Sequence, residues 1–80
     1  MLKNNFGGVI WTNHALARLE QRHFRQSDVI AVWRNPDKST YNKTQGSWTF
    51  LRNMGGQEIG VVAKKNGKNG WIILSVWSKN

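Results

Sequence analysis

Gln57-Glu58-Ile59-Gly60-Val61-Val62-Ala63-Lys64-Lys65 is the stretch that decides the fold. Ile59, Val61 and Ala63 alternate with Glu58, Gly60, Val62 and Lys64, the two-residue period of a strand with one buried face. A second such stretch, residues 71–77, follows the turn-forming run Asn66-Gly67-Lys68-Asn69-Gly70. There Ile72, Leu74 and Val76 are expected to face the core, with Trp71, Ser75 and Trp77 on the opposite face. Working backward, residues 40–45 and 47–52 read as two further strands, separated by Gly46 and followed by the turn Gly55-Gly56. Four strands joined by short turns dictate an antiparallel sheet with aliphatics on one side.

Before Pro36 the period changes. Ala15, Leu16 and Leu19 recur at helical spacing after Thr12 or Asn13, either of which suits an N-cap. Ser27 reads as the N-cap of a second helix. Asp28 sits in its first turn, Val29, Ile30, Val32 and Trp33 form its apolar side, and Asn35-Pro36 ends it. Val9-Ile10-Trp11 is a short strand ahead of both helices. The expected fold is therefore α+β, ordered β-α-α-β-β-β-β, an antiparallel sheet with two helices packed on one face.

With 80 residues, the chain is long enough for one domain, residues 1–80, in which residues 1–6 are expected to be a disordered polar tail. The net charge of +8, twelve Lys and Arg against four acids, favours a polyanionic partner, with nucleic acid first. The absence of cysteine excludes disulfides and thiolate chemistry. His14 and His23, nine residues apart, would stand on opposite sides of a helix and do not make a zinc site, so no metal and no cofactor are expected. No apolar run is long enough to span a bilayer, and the opening residues lack the apolar core of a secretion signal. A cytoplasmic address is expected; an effector domain delivered by a larger carrier is the alternative.

The chemistry concentrates in His14-Ala15-Leu16-Ala17-Arg18-Leu19-Glu20-Gln21-Arg22-His23-Phe24-Arg25. At about 100° per residue, His14, Arg18, Arg22 and Arg25 fall within roughly 80° of one another. One helix edge thus carries a proton acceptor beside cations whose paired donors match phosphate. A neutral His14 imidazole could deprotonate a ribose 2′-hydroxyl, while Arg18 and Arg22 hold the phosphate. Arg52 or Lys64 (with Lys65 beside it) could stabilise developing charge from the strands, and Lys38 and Lys43 could steer RNA from the rim. Trp48, Trp71 and Trp77, with Tyr41, are candidates for stacking on unpaired bases. Against these readings stand plainer ones: a solvated arginine face, a histidine bonded to backbone or solvent, and tryptophans engaged in cross-strand packing. Trp11 and Trp33 read as core.

The run His14-Ala15-x-x-Arg18-x-x-x-Arg22, followed by Ser27-Asp28-Val29 and Asn35-Pro36, resembles a family of small bacterial domains of unknown function over about residues 9–78. That family is similar to RelE-like and BrnT-like toxins within the barnase–EndoU–colicin–RelE group of ribonucleases. The resemblance implies a RelE-like fold, metal-independent RNA cleavage, an acidic antitoxin partner, and His14, Arg18 and Arg22 as functional residues. Many relatives place glycine directly after the second arginine, where this chain has His23. If that position needs positive φ, histidine tolerates it less well than glycine. The expected function is a toxin-like endoribonuclease working by 2′-hydroxyl attack. A non-catalytic nucleic-acid-binding module and a protein-interaction domain of immunity or regulatory type are the alternatives.

Overall fold

A computed structural model describes residues 2–68 and 70–79. Met1 of the expected tail and Asn69 of the expected turn lie outside the described residues. In chain order the elements are β1 (Asn5–Phe6), β2 (Val9–Trp11), α1 (Asn13–Arg22), α2 (Gln26–Arg34), β3 (Lys38–Asn42), β4 (Ser47–Met54), β5 (Gln57–Asn66) and β6 (Gly70–Lys79). The six strands form one sheet in the order β1-β2-β6-β5-β4-β3. The α+β class and the two helices on one face stand as expected. The purely antiparallel sheet does not: β2 runs parallel to β6, pairing Ile10 with Ile72 and Trp11 with Ile73, so the sheet is mixed. The element order gains a strand, because Asn5 and Phe6 pair antiparallel with Ile10 and Val9.

The expected tail carries this strand and is tied to the second helix. Gln26 is buried, its side-chain carbonyl accepting the Lys3 N–H at 3.1 Å and its amide donating to the Lys3 carbonyl at 2.8 Å. Leu2 and Phe6 pack against the core. Trp11, 1% exposed, donates its indole N–H to the Phe6 carbonyl.

The alternation in β5 holds: Ile59, Val61 and Ala63 are buried in a single core with Ala15, Leu19, Val29, Ile30, Val32 and Phe50. In β6 the expected phase fails. Val62 pairs with Ser75 but Ala63 pairs with Ile73, so Leu74 is the extra residue of a β-bulge. The bulge resets the alternation, and Ile73 and Val76 are the buried residues, not Ile72 and Leu74. It also serves a purpose at the start of α1. Thr12 is the N-cap, accepting from the Ala15 N–H, and its hydroxyl hydrogen is shared between the carbonyls of Ile73 and Leu74. Thr12 therefore joins the first helix to the irregular part of β6.

The other helix ends follow from local chemistry. His23 lies in the left-handed region (φ 59, ψ 36), its N–H bonding the Glu20 carbonyl while the Phe24 N–H bonds the Leu19 carbonyl. This is a Schellman closure, with Phe24 folded back toward the core. The N-cap of α2 is Arg25 rather than Ser27, because Asp28 reaches back to accept the Arg25 N–H at 3.1 Å. A guanidinium has no acceptor, so only this half of a capping box forms. Asn35 ends α2 before Pro36, as expected. β3 starts and stops earlier than residues 40–45; it stops at Asn42 because the Asn42 side chain accepts the Thr44 and Gln45 N–H groups and turns the chain.

Candidate nucleic-acid interface

The register fixes where each chemically interesting residue stands. Thr12 donates its backbone N–H to Ile73, and the Arg22 guanidinium lies 3.5 Å from the Ser78 hydroxyl. Helix α1 thus runs along β6 from its bulge toward its C-terminus. His14, Arg18 and Arg22 are all exposed, as the periodicity requires. Four residues of helix advance about 6 Å, so His14 and Arg18 are one turn apart and His14 and Arg22 about 12 Å apart along the axis. Arg18 donates to Gln21 at 3.5 Å. Arg25 lies beyond the Schellman closure, exposed at the start of α2. It is off the helix that carries the other three.

The strand residues divide between the two faces of the sheet. Trp48 pairs with Ala63, Phe50 with Val61 and Arg52 with Ile59, placing all three on the helix-bearing face. The Arg52 guanidinium is engaged there, donating to the carbonyls of Ala31 and Asn35 at 3.5 and 3.4 Å. It satisfies the C-terminal carbonyls of α2, a role that suits a cation at the negative end of a helix. Lys64 pairs with Ile72 on the opposite, helix-free face. Trp77 is on that face too, lying across Gly60 so closely that a Cβ on Gly60 would collide with its indole. Lys64 and Trp77 are therefore not brought together with His14, Arg18 and Arg22.

Tyr41 and Trp48 belong to a row of aromatic rings on the helix-bearing face. Tyr41 and Trp48 lie 5.1 Å apart between centroids, Trp48 and Phe50 are stacked at 6.1 Å, Phe50 meets Trp71 at 5.9 Å, and Trp71 meets Trp33 at 6.2 Å. The Lys65 ammonium stands 5.9 Å from the Trp71 ring. Strict alternation along β6 would put Trp71 on the same face as Trp77. The bulge separates them, and Trp71 joins Lys65 on the side of the helices, which a two-residue period does not reveal.

An open groove of about 460 Å³ lies elsewhere, between the β1–β2 turn and α2, lined by Phe6, Gly7, Ser27, Ile30, Ala31, Arg34 and Asn35. None of the expected site residues lines it. Among the described residues there is no group of three or more His, Cys, Asp or Glu side chains placed to hold a metal ion. No helix among them is long and apolar enough to cross a membrane.

Comparison with curated proteins and with solved structures returns no match. One family model does match, that of a domain of unknown function (DUF4258), over residues 11–78. The matched span runs from the last residue of β2 to Ser78, the penultimate residue of β6, taking in both helices, β3, β4, β5 and nearly all of β6. The chain belongs to the DUF4258 family.

Proposed function

We propose that this domain binds RNA and cleaves it without a metal ion, in the manner of a RelE/BrnT-like toxin. The observation that carries the reading is the exposed edge of α1, where an imidazole is followed by two guanidiniums at one-turn intervals. The two-helix, one-face α+β layout agrees with it. His14 and Arg18, one turn apart, are suited to a single phosphodiester; Arg22, held beside Ser78, would engage a neighbouring phosphate. Arg25 would extend the same track. In the reaction His14 takes the proton from a ribose 2′-hydroxyl. The 2′-oxygen bonds to phosphorus, and the P–O5′ bond breaks. The 5′-oxygen leaves with a proton drawn from water, giving a 2′,3′-cyclic phosphate and a 5′-hydroxyl. Arg18 stabilises the charge that gathers on the phosphoryl oxygens. A protein of this activity would work on cytoplasmic RNA, and an acidic antitoxin would neutralise its +8 charge.

Incubation of folded protein with RNA in excess EDTA tests this. Cleavage by the wild type, lost in His14→Ala and reduced in Arg18→Ala and Arg22→Ala with unchanged circular dichroism, supports it. Intact RNA refutes it. A second reading, a non-catalytic nucleic-acid module, is favoured by one observation: His14, Arg18 and Arg22 are all exposed on the edge of α1. Binding without cleavage in the same experiment would assign that role.

A further inference from the structure

One end of the sheet combines an exposed tyrosine and two partly buried tryptophans with uncompensated positive charge. Asn42 pairs with Ser47, Trp48 with Ala63 and Asn66 with Gly70, so the β3–β4 and β5–β6 turns project from the same end. Lys43, Lys64, Lys65 and Lys68 are exposed there. Between residues 38 and 79 the sole acid is Glu58, which pairs with Asn53 and Lys79 at the opposite end. No carboxylate from the strands therefore neutralises the four lysines. β3 is an edge strand and all five of its residues are exposed. Tyr41 is 48% exposed and its ring leans on the half-buried Trp48. Trp71, half-buried beneath Lys65, continues the row toward β6.

We infer that the Tyr41–Trp48–Trp71 row, with Lys43, Lys65 and Lys68 around it, is a stacking platform for the unpaired bases of a single-stranded nucleic acid. Two adjacent aromatic side chains with part of their ring surface open offer stacking to any base, and the lysines meet the phosphates between bases. A duplex is the wrong occupant, because its base faces are already stacked within the helix. The platform also continues the α1 track. Ile73, to which Thr12 at the head of α1 is bonded, lies in the same cross-sheet row as Ala63, Trp48 and Tyr41. Three strand spacings separate Ile73 from Tyr41, about 14 Å. A strand that passes Arg22, Arg18 and His14 in turn is delivered to the aromatic end. The inference rests on the nucleic-acid reading above but not on cleavage.

The test uses a twelve-nucleotide oligo(dT), which has no 2′-hydroxyl to cut, and a twelve-base-pair DNA duplex, each titrated by tryptophan fluorescence at low salt. Oligo(dT) should bind more tightly than the duplex and quench the fluorescence. Tyr41→Leu, which keeps an apolar neighbour for Trp48, should weaken binding about 5- to 150-fold, the range for losing one stacked base. Lys43→Ala combined with Lys65→Ala, both at exposed positions, should lower the affinity and flatten its salt dependence by about 0.7 in log–log slope for each phosphate no longer neutralised. Unchanged affinity in folded Tyr41→Leu, no preference over duplex, or no binding at all would overturn the platform. So would a dimer in light scattering that Tyr41→Leu dissolves, which would give the face to a second copy. The two proposals fail separately. RNA cut by wild type and by Tyr41→Leu with equal affinity removes the platform and leaves the α1 chemistry. Oligo(dT) bound through Tyr41 with no RNA cut removes the chemistry and leaves the platform.

Discussion

Replacing His23 by glycine should make this domain more stable. His23 is the one non-glycine residue with positive φ among the described residues, at φ 59, and it closes α1 by donating its N–H to Glu20 and letting Phe24 bond Leu19. An L-residue in the left-handed region carries about 1–2 kcal/mol of strain, from Cβ crowding against its own carbonyl. Glycine removes that strain but starts from a freer unfolded chain, which returns about 0.4–1 kcal/mol. The net expectation for His23→Gly is a gain of about 0.5–1 kcal/mol. The hydrogen bonds that close the helix come from the backbone, so glycine keeps them. The assay is urea unfolding followed by tryptophan fluorescence, with an m-value near ~1 kcal/mol/M for a chain this short, so the midpoint should rise by roughly 0.5–1 M. A melting temperature higher by about 2–8 °C should accompany it. His23→Val, which combines β-branching with positive φ, should move the midpoint in the opposite direction. A His23→Gly midpoint equal to or below the wild type, at unchanged m, would refute the reasoning from backbone strain.

Other substitutions probe the remaining joints of the fold. Thr12→Val removes the N-cap acceptor and the hydroxyl shared by Ile73 and Leu74, and should cost about 2 kcal/mol in urea unfolding; Thr12→Ser should restore most of it. Gly60→Ala drives a methyl into the Trp77 indole and should cost about 1–3 kcal/mol, with a shifted tryptophan emission; the double variant Gly60→Ala/Trp77→Leu should recover part of the loss. Gln26→Ala leaves the Lys3 N–H and carbonyl without partners, so hydrogen exchange at Lys3 should accelerate and stability should fall by about 1–2 kcal/mol.

These joints mark the limit of what the sequence discloses. The alternation of Ile59, Val61 and Ala63 is a local period, and it placed β5 and its buried face correctly. The helices were legible for the same reason: apolar spacing, the Thr12 cap and the Asn35-Pro36 stop are written within a few residues of each other. The phase of β6 was not. A bulge at Leu74 depends on where Thr12 finds its acceptors, about sixty residues away in the chain. The parallel pairing of β2 with β6 is likewise a long-range choice that short strands do not announce. Asp28 sits where it suits either a second-helix first turn or a reach back to Arg25, and only the folded chain decides that Arg25, not Ser27, is the cap.

The candidate site divides along the same line. The row His14, Arg18, Arg22 follows from helix geometry and appears on the exposed edge of α1. Which strand residues share its face depends on register. Register turned Lys64 and Trp77 to the far side, gave Arg52 to the end of α2, and brought Trp71 and Lys65 into line with Trp48 and Tyr41.

The proposed chemistry makes its sharpest demand on the ribose. Four DNA strands, each carrying one ribonucleotide (A, C, G or U) at its centre, would be incubated with the protein in EDTA and the products identified by mass. Metal-independent attack by a 2′-hydroxyl predicts scission on the 3′ side of the ribonucleotide in at least one strand, leaving a 2′,3′-cyclic phosphate, and no scission by His14→Ala. Cutting of an all-DNA strand, an equal cut by folded His14→Ala, or four intact strands beside intact RNA would contradict it.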